Sequence, residues 1–403
     1  MLNKIKKYDF TLIIAPILLS CFGIVMVYSS SMVTAVMEGH SATYYLFRQL
    51  QWFALGLVGF IVCSMIPYKY YQKLMKLIML IIILALIAVL FFGTERNNAR
   101  SWFILGPISI QPAEFAKLGL IMYLAAIYSK KQAYINKFSS GVLPPLIMTA
   151  FVLGLIVLEP DIGTAAIIFL IACSVIFSSG IQFKHLIFLM LVGLVIIAIA
   201  IPNMVTDVRI ARFTGAYQPF QSPDSDGYHL IQSYLAISGG GLTGEGLGAS
   251  VQKLGYLFGA HTDFIMAVVA EELGFFGVIV VIGLLATIVL RGIFISRRCR
   301  DSFGALLAIG ISSMVGIQAF INLGSISGIL PITGVTLPFV SYGGSSLLIL
   351  LASMGVLNNI AMKVKQQDTP APHERQHLHE GQHKETQRQK ELYHFGGGRK
   401  WSS

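Results

Sequence analysis

Residues 74–93 read LMKLIMLIIILALIAVLFFG and contain one charged side chain, Lys76. Twenty residues in an α-helix rise about 30 Å, which matches the thickness of the hydrocarbon core of a bilayer. This segment therefore predicts a helix that spans a membrane. The rest of the chain decides whether it is one span among several.

The composition of the whole chain indicates a polytopic membrane protein. Of its 403 residues, 55% are hydrophobic and only 12% are charged, and the mean hydropathy is +0.73. Soluble domains carry about 25% charged residues, so this chain cannot cover a water-soluble surface. A soluble enzyme, a fibrous repeat and a disordered chain are excluded. The four cysteines lie in or beside apolar segments without CxxC spacing, which favours core positions over a metal site or disulfides.

Further apolar runs of similar length predict about ten membrane-spanning helices in an all-α fold. The first run continues for more than 20 residues, so it indicates a span and not a cleaved signal peptide. Residues 1–362 are the predicted transmembrane domain, and residues 363–403 are a predicted disordered, polar cytoplasmic tail. The predicted spans lie near residues 9–31, 46–66, 74–93, 111–129, 141–159, 162–180, 185–202, 263–290, 303–324 and 338–361.

The distribution of basic residues predicts the orientation of these helices. Cytoplasmic loops of membrane proteins are enriched in Lys and Arg, and the basic clusters of this chain fall on the inside when both termini are cytoplasmic. This bias accounts for most of the net charge of +10. Nucleic acid is therefore not a predicted partner.

Two long loops, 94–110 and 203–262, lie on the predicted outer side, the second between helices 7 and 8. Long loops in compact proteins are usually functional or disordered. The second loop contains the apolar stretches Tyr228–Ile237 and Val251–Phe258, so we expect it to pack back onto the helices. Carboxylates also gather on this side, which makes the outer face the expected place for chemistry.

Ionisable residues within a membrane are costly and are candidates for function. Glu114 and Lys117, in the segment 111–117, lie three residues apart and can pair on one helix face. Two interpretations fit this pair equally well. It is either a structural salt bridge or a site in which Lys117 binds an anionic group and Glu114 tunes Lys117.

Two further carboxylates, Glu159 and Asp161, flank Pro160 at an outer turn. Asp161 can cap the next helix, which is a sufficient structural role. Alternatively, the two carboxylates bind a substrate or a divalent cation, Mg²⁺ or Mn²⁺. No organic cofactor is predicted.

The segment His261-Thr262-Asp263-Phe264 lies where the second outer loop enters helix 8. Thr262 or Asp263 can cap that helix. Glu271 follows eight residues later, about 12 Å deeper. Partial desolvation at a membrane boundary suits a carboxylate to act as a general base on a hydroxyl group or water.

The last polar cluster, residues 336–346 with Ser341, is rich in small side chains. It fits close helix packing or a kinked helix that lines a substrate cavity. The glycine-rich segment 239–248 lacks the strand and βαβ context of a dinucleotide site, so that site is not predicted. The residues alone fit either a transporter or an enzyme that acts on a lipid-linked substrate at the outer leaflet.

Taken together, these clusters resemble the SEDS family of shape, elongation, division and sporulation proteins over about residues 1–362. The matching segments are residues 101–107, 111–117, 159–164, 226–233, 246–248, 261–264, 271–274 and 337–346. The resemblance implies a multi-pass peptidoglycan glycosyltransferase of the bacterial plasma membrane that polymerises lipid II at the outer leaflet. Residues 250–254 and 336–338 favour the division branch of the family, which implies that the protein is enriched at the division septum. The elongation and sporulation branches, a lipid II flippase or transporter, and a scaffold are the alternatives.

The resemblance also implies roles for individual residues. Asp263 matches the family's essential aspartate and is the predicted general base for an inverting displacement of undecaprenyl pyrophosphate. The predicted substrate-binding residues are Lys117, Glu114, Trp102, Arg48, Arg100, Arg212, Thr262 and Ser341. Arg209 and Lys253 are further candidates for contact with the pyrophosphate. The implied partners are a class B penicillin-binding protein, which is a transpeptidase, and other divisome proteins.

The chain departs from many relatives at two places near the predicted site. Ser101 stands directly before Trp102, where many relatives have arginine, and Arg100 lies one residue earlier. Phe258-Gly259 stands where many relatives have Pro-Glu. The second difference removes an acidic side chain from the neighbourhood of Asp263.

Overall fold

The computed structural model describes residues 8–96, 99–106, 108–132, 138–182, 184, 187 and 213–367. These residues are mostly helical. The helices are α1 (Thr11–Met37), α2 (Tyr44–Met65), α3 (Lys69–Phe92), α4 (Pro112–Lys130), α5 (Leu143–Leu158), α6 (Ile162–Ser178), α7 (Tyr228–Gly240), α8 (Ile265–Arg298), α9 (Ser302–Ile326) and α10 (Gly344–Gln367).

Six of the described helices, α1, α2, α3, α8, α9 and α10, are long and apolar enough to cross a membrane. Helices α5 and α6 are shorter apolar helices. The prediction of a mostly helical, multi-pass membrane protein is therefore confirmed. The predicted span 185–202 lies outside the described residues except for position 187, so the count of ten spans and the cytoplasmic placement of both termini stay predictions.

Helices α9 and α10 are the most buried of the six, and small residues let their neighbours approach closely. Helix α10 packs along α2, where a Cβ atom added to Gly355 would lie 2.3 Å from the carbonyl oxygen of Phe60. On α9, a Cβ atom added to Gly310 would lie 2.4 Å from the side chain of Ile121 on α4. Helix α9 has a central position, because it packs against α4, α6 and α8.

The outer segment 94–110 forms a small antiparallel sheet, so the all-α prediction is wrong there. Its strands are β1 (Thr94–Arg96), β2 (Ala99–Leu105) and β3 (Ile108–Ile110), in the order β1-β2-β3. Thr94 pairs with Trp102, and Phe103 pairs with Ile110. Gly106, with φ of +61°, supplies the left-handed backbone that joins β2 to β3.

The last span differs from its predicted bounds of 338–361. Residues 335–343 are not helical, and α10 begins at Gly344 and continues to Gln367. Phe339, directly after Pro338, has φ of +65°, which an α-helix cannot contain. Residues 363–367 thus extend the helix, and the rest of the predicted tail lies outside the described residues.

Part of the long outer loop packs back onto the bundle, as its apolar stretches predicted. Helix α7 lies against α8, and the Ser233 hydroxyl donates to the carbonyl oxygen of Ile326 at 3.0 Å. Leu230 and Ala236 of α7 are fully buried. The prediction had no helix here because 13 residues are too few to indicate a span.

The glycine-rich segment after α7 closes against a break in α8. Gly274 has φ of +63° and ψ of −160° inside that helix, which leaves carbonyl groups of the preceding turn without helical partners. The amides of Glu245 and Gly246 donate to the carbonyl oxygens of Glu271 and Glu272 at 2.9 and 3.0 Å. A Cβ atom at Gly244 would lie 2.2 Å from the Glu272 carbonyl oxygen. Close backbone contact therefore explains the glycines.

Candidate active site

The turn that carries Asp263 is folded around Gly259. The Gly259 carbonyl oxygen accepts from the amides of Thr262 at 2.9 Å and Phe264 at 3.2 Å. The Thr262 hydroxyl contacts the Gly259 carbonyl oxygen at 3.1 Å and Oδ1 of Asp263 at 2.8 Å. Helix α8 begins with Phe264 as its N-cap residue and has no side-chain cap. Helix capping by Thr262 or Asp263 was the structural alternative, and it does not occur.

Two other parts of the chain hold this turn in place through its backbone. The Asn322 amide group on α9 donates to the carbonyl oxygens of Asp263 and Val335, each at 2.7 Å. The Tyr342 amide donates to the carbonyl oxygen of His261 at 2.9 Å. The Asp263 side chain, which is partly exposed, is thus positioned by α9 and by the segment before α10.

Lys117 and Glu114 form a buried ion pair on α4. Their Nζ and Oε1 atoms are 2.8 Å apart, and the two side chains are 2% and 9% exposed, respectively. Lys117 Nζ also donates to Oε1 of Gln318 on α9 at 3.2 Å. Within the described residues, Oε2 of Glu114 is buried without a hydrogen-bond partner, so the cluster retains an unused acceptor.

Helix α9 brings the two clusters together, because Gln318 contacts Lys117 and Asn322 contacts Asp263. Residues four apart lie on the same helix face, about 6 Å apart along the axis. Gln318 and Asn322 are each 1% exposed. Sequence reasoning missed both residues, although two amides at this spacing within an apolar span were a usable signal.

The carboxylates at the α5–α6 turn have different surroundings. Asp161 caps α6, because its Oδ1 accepts from the Thr164 amide at 3.1 Å. Its Oδ2 accepts from Nε2 of Gln111 at 2.8 Å. Glu159 is 0% exposed, and neither of its carboxylate oxygens has a hydrogen-bond partner in the described part of the chain. The capping interpretation of Asp161 therefore fits this turn.

A divalent cation has few ligands available at this turn. Both Asp161 oxygens already accept hydrogen bonds, and Glu159 lies in an environment that favours its protonated form. Among the described residues, no group of three or more His, Cys, Asp and Glu side chains can hold a metal ion. These described residues do not fit a bound Mg²⁺ or Mn²⁺.

Burial, and then the nearby Asp161 carboxylate, raise the pKa of Glu159 to about 8. Since its pKa is raised in the folded protein, its contribution to stability is complete below about pH 4.5 and is lost as the pH rises through about 8. We expect this effect to lower the melting temperature between about pH 4.5 and about pH 8, and to be absent in Glu159→Gln. Thermal unfolding in detergent measures this; the exposed Asp224→Asn should keep the original slope. Parallel curves for the parent and Glu159→Gln would contradict the assignment.

Two residues that were candidates for chemistry make contacts that hold the outer loop against α8. Glu271 accepts hydrogen bonds from the Ser250 hydroxyl and, at 2.8 Å, from the Val251 amide, so it is not available as a general base. Lys253 is 3% exposed and lies 2.7 Å from Oε1 of Glu272, which is fully buried. This ion pair ties the Lys253 ammonium group to α8, and the pyrophosphate contact of Lys253 stays a prediction.

The remaining predicted site residues fall in three places. The Arg48 guanidinium lies 4.8 Å from the centre of the Tyr44 ring on α2. Arg100 is exposed on β2 and pairs with Glu95 at 2.7 Å, close to the half-buried Trp102. The Ser341 hydroxyl accepts from the Leu337 amide at 2.8 Å. Arg209 and Arg212 lie outside the described residues.

Similarity to known proteins covers nearly all of this architecture. The model of the FtsW/RodA/SpoVE family, described as cell cycle proteins, matches residues 10–366. The chain belongs to this family. The resemblance stated from the sequence motifs is thereby confirmed.

Individual members of the FtsW/RodA/SpoVE family match over almost their whole length. The probable peptidoglycan glycosyltransferase FtsW of Bacillus subtilis is 52% identical over 376 residues, which is 91% of this chain and 93% of that protein. Stage V sporulation protein E of the same organism is 39% identical over 368 residues, or 90% and 99% of the two chains.

Solved structures of the family show the same fold. A chain from a peptidoglycan synthase complex, described as coordinating polymerisation and crosslinking, is 30% identical with a TM-score of 0.73. It covers 90% of this chain and 99% of its own. The rod shape determining protein RodA of Thermus thermophilus is 29% identical with a TM-score of 0.65, covering 88% and 96%.

Proposed function

We propose that this protein is a peptidoglycan glycosyltransferase that polymerises lipid II into glycan strands at the outer leaflet. The observation that carries the proposal is the arrangement on one face of α9. Asn322 holds the turn of a partly exposed carboxylate, Asp263, and Gln318 contacts a buried ammonium group, Lys117. A base and a cation at neighbouring positions are what a displacement of a phosphate leaving group requires.

In the proposed reaction, Asp263 accepts the proton of the acceptor's GlcNAc 4-hydroxyl group. The hydroxyl oxygen then forms a bond to the anomeric carbon of the donor MurNAc, from the face opposite the pyrophosphate. The bond between that carbon and the phosphate oxygen breaks, and its electron pair leaves with undecaprenyl pyrophosphate. One displacement converts the α-phosphate into a β-1,4 linkage without a covalent intermediate.

The neighbours of Asp263 fit the role of a base. The Thr262 hydroxyl, 2.8 Å from Oδ1, orients the carboxylate. Ser341 stabilises the non-helical segment whose Tyr342 amide holds the turn. We assign both residues to positioning the carboxylate beside the substrate.

The leaving pyrophosphate needs cations more than a proton donor, because it is already a stable anion. Lys117 is the proposed contact at the base of the site. Arg48 and Arg100, on α2 and the outer sheet, are proposed contacts nearer the water boundary, together with Trp102 for the sugar. Glu114 tunes Lys117 by holding its ammonium group within the cluster.

The biological role proposed is septal cell-wall synthesis. The identity to the B. subtilis FtsW is 52%, against 39% for the sporulation protein of the same organism. A class B penicillin-binding protein is the proposed transpeptidase partner, since a structurally similar chain comes from a complex of polymerisation and crosslinking. Depletion should give filamentous cells, and a fluorescent fusion should collect at division sites.

Polymerisation of purified lipid II by the purified protein and its transpeptidase partner tests the activity. We expect glycan strands, resolved by gel electrophoresis, both in the presence and in the absence of a chelator of divalent cations.

Liposomes that hold lipid II in one leaflet test the transporter alternative. Movement of lipid II without polymerisation would replace the proposed function with a flippase.

The substitution Gly259→Ala should damage the site locally. Its Cβ atom would lie 2.4 Å from Oδ1 of Asp263, and Gly259 has φ of +73°, where a side chain is strained by about 1–2 kcal/mol. A displaced catalytic group can cost about 100-fold in rate, so we expect kcat to fall by that order with little change in KM for lipid II. The control is Gly239→Ala, where no atom lies within 4 Å. Equal kcat values for the two variants would refute this role.

A further inference from the structure

A groove of about 550 Å³ lies at the end of the bundle predicted to face the cytoplasm. It is formed where the turn before α3 meets the end of α10, on the side that also carries the contact of Asp9 with Asn358. No acidic residue lines this groove. The polar side chains around it are Tyr68, Lys69, Tyr70, Lys73, Lys363, Gln366 and Gln367.

Three cations therefore converge without a counter-ion. In the described part of the chain, Lys69, Lys73 and Lys363 form no ion pair with a carboxylate. Lys69 and Lys73 also lie in the first turns of α3, which has no acidic residue there. Cations at the start of a helix are disfavoured by its dipole. An anion in the groove would relieve both unfavourable interactions.

The surface next to the groove indicates what kind of anion binds. Lys69 and Lys73 are four residues apart, and the same face of α3 continues as an apolar stripe of exposed side chains. Its members are Leu77, Leu80 and Leu84, which are 53–56% exposed. A ligand with an anionic head and acyl chains matches both parts of this face, whereas free phosphate would use only the lysines.

We propose that this groove binds the headgroup of an anionic phospholipid of the cytoplasmic leaflet, with its acyl chains along α3. The phosphate lies between the three lysines, and the amide groups of Gln366 and Gln367 can donate to headgroup oxygens. Basic pockets between membrane helices on the cytoplasmic side recognise lipid headgroups in this way. Scattered basic residues would suffice to set orientation, so the orientation bias alone does not account for their convergence.

The bound lipid would join two elements that the protein connects only sparsely at this point. The Tyr68 amide, at the turn before α3, donates to Oδ1 of Asn359 on α10 at 3.0 Å. A headgroup between Lys69 and Lys363 would add a second link between the same elements. We therefore expect lipid binding to raise the melting temperature of the protein.

The test uses the full chain in phosphatidylcholine nanodiscs with increasing phosphatidylglycerol, read by melting temperature and by native mass spectrometry of retained lipid. We expect saturable stabilisation. The variant Lys69→Gln/Lys73→Gln/Lys363→Gln should bind roughly 100-fold more weakly, at about fivefold for each lysine near the membrane surface. A matched control, Lys130→Gln/Arg297→Gln/Arg300→Gln, removes three cytoplasmic-side charges outside the groove and should bind like the parent.

Three results would overturn the proposal. Equal weakening in the two triple variants would show a response to total charge. The same stabilisation by inorganic phosphate would show a site for free anions. Lipid binding that appears only after truncation at Gln367 would show that the tail itself occupies the groove. If the groove variant does not fold, lipid retention by Lys73→Gln alone, compared with Arg297→Gln, decides between the same outcomes.

Discussion

Asp263→Asn is expected to reduce glycan polymerisation by at least about 100-fold, the lower end of what a general base contributes. The amide has nearly the same shape as the carboxylate and can still receive the hydrogen bond from Thr262, but it cannot take a proton from the acceptor hydroxyl. Protein yield, melting temperature and binding of the transpeptidase should not change, because the Asp263 side chain does not cap α8. Polymerisation of lipid II by the purified complex measures the loss.

The matched control for this substitution is Asp224→Asn in the same outer loop. Asp224 is exposed, so the substitution removes the same charge from the outer side without touching the turn. It should polymerise at the parent rate. A purified Asp263→Asn complex that still makes full-length strands would exclude Asp263 as the base. Normal growth of cells that carry only Asp263→Asn would favour the scaffold alternative.

The sequence predicts the spans well because the bilayer imposes one strong requirement on them. A run such as 74–93 has to be helical when no water satisfies its backbone, and α3 covers it almost completely. Segments outside the bilayer lack that requirement. The sheet of 94–110 and helix α7 depend on local pairing and on contacts with α8, which hydropathy does not report.

The candidate site shows the same division between local and long-range information. Asp263 and Lys117 were candidates because each is an ionisable residue in or beside an apolar run, and the resemblance to the SEDS family implied their roles. Their positions relative to each other depend on Gln318 and Asn322, which lie 201 residues from Lys117 and 59 residues from Asp263 in the chain. Lys253 was a candidate for the pyrophosphate because it is a basic residue on the predicted outer side, and the sequence does not show that it pairs with Glu272.

Lys117→Met should affect both folding and catalysis. It leaves Glu114 buried, 9% exposed, without its cation. Removing one partner of a buried ion pair costs about 3–5 kcal/mol, so we expect a clear fall in melting temperature. It also removes the proposed contact with the leaving pyrophosphate. Polymerisation should therefore fall by about 100-fold or more, as for other groups that stabilise developing charge.

The double variant Lys117→Met/Glu114→Gln separates these two effects. It removes both charges together, and replacing a buried ion pair by neutral groups is often neutral or stabilising. We expect its melting temperature to return close to that of the parent, because a neutral amide in place of the Glu114 carboxylate needs no cation. If Lys117 acts on the pyrophosphate, polymerisation stays low, with a lower kcat and a higher KM for lipid II. A double variant that regains both stability and polymerisation would show that Glu114 and Lys117 serve only as a structural pair, and the leaving group would then depend on Arg48 and Arg100.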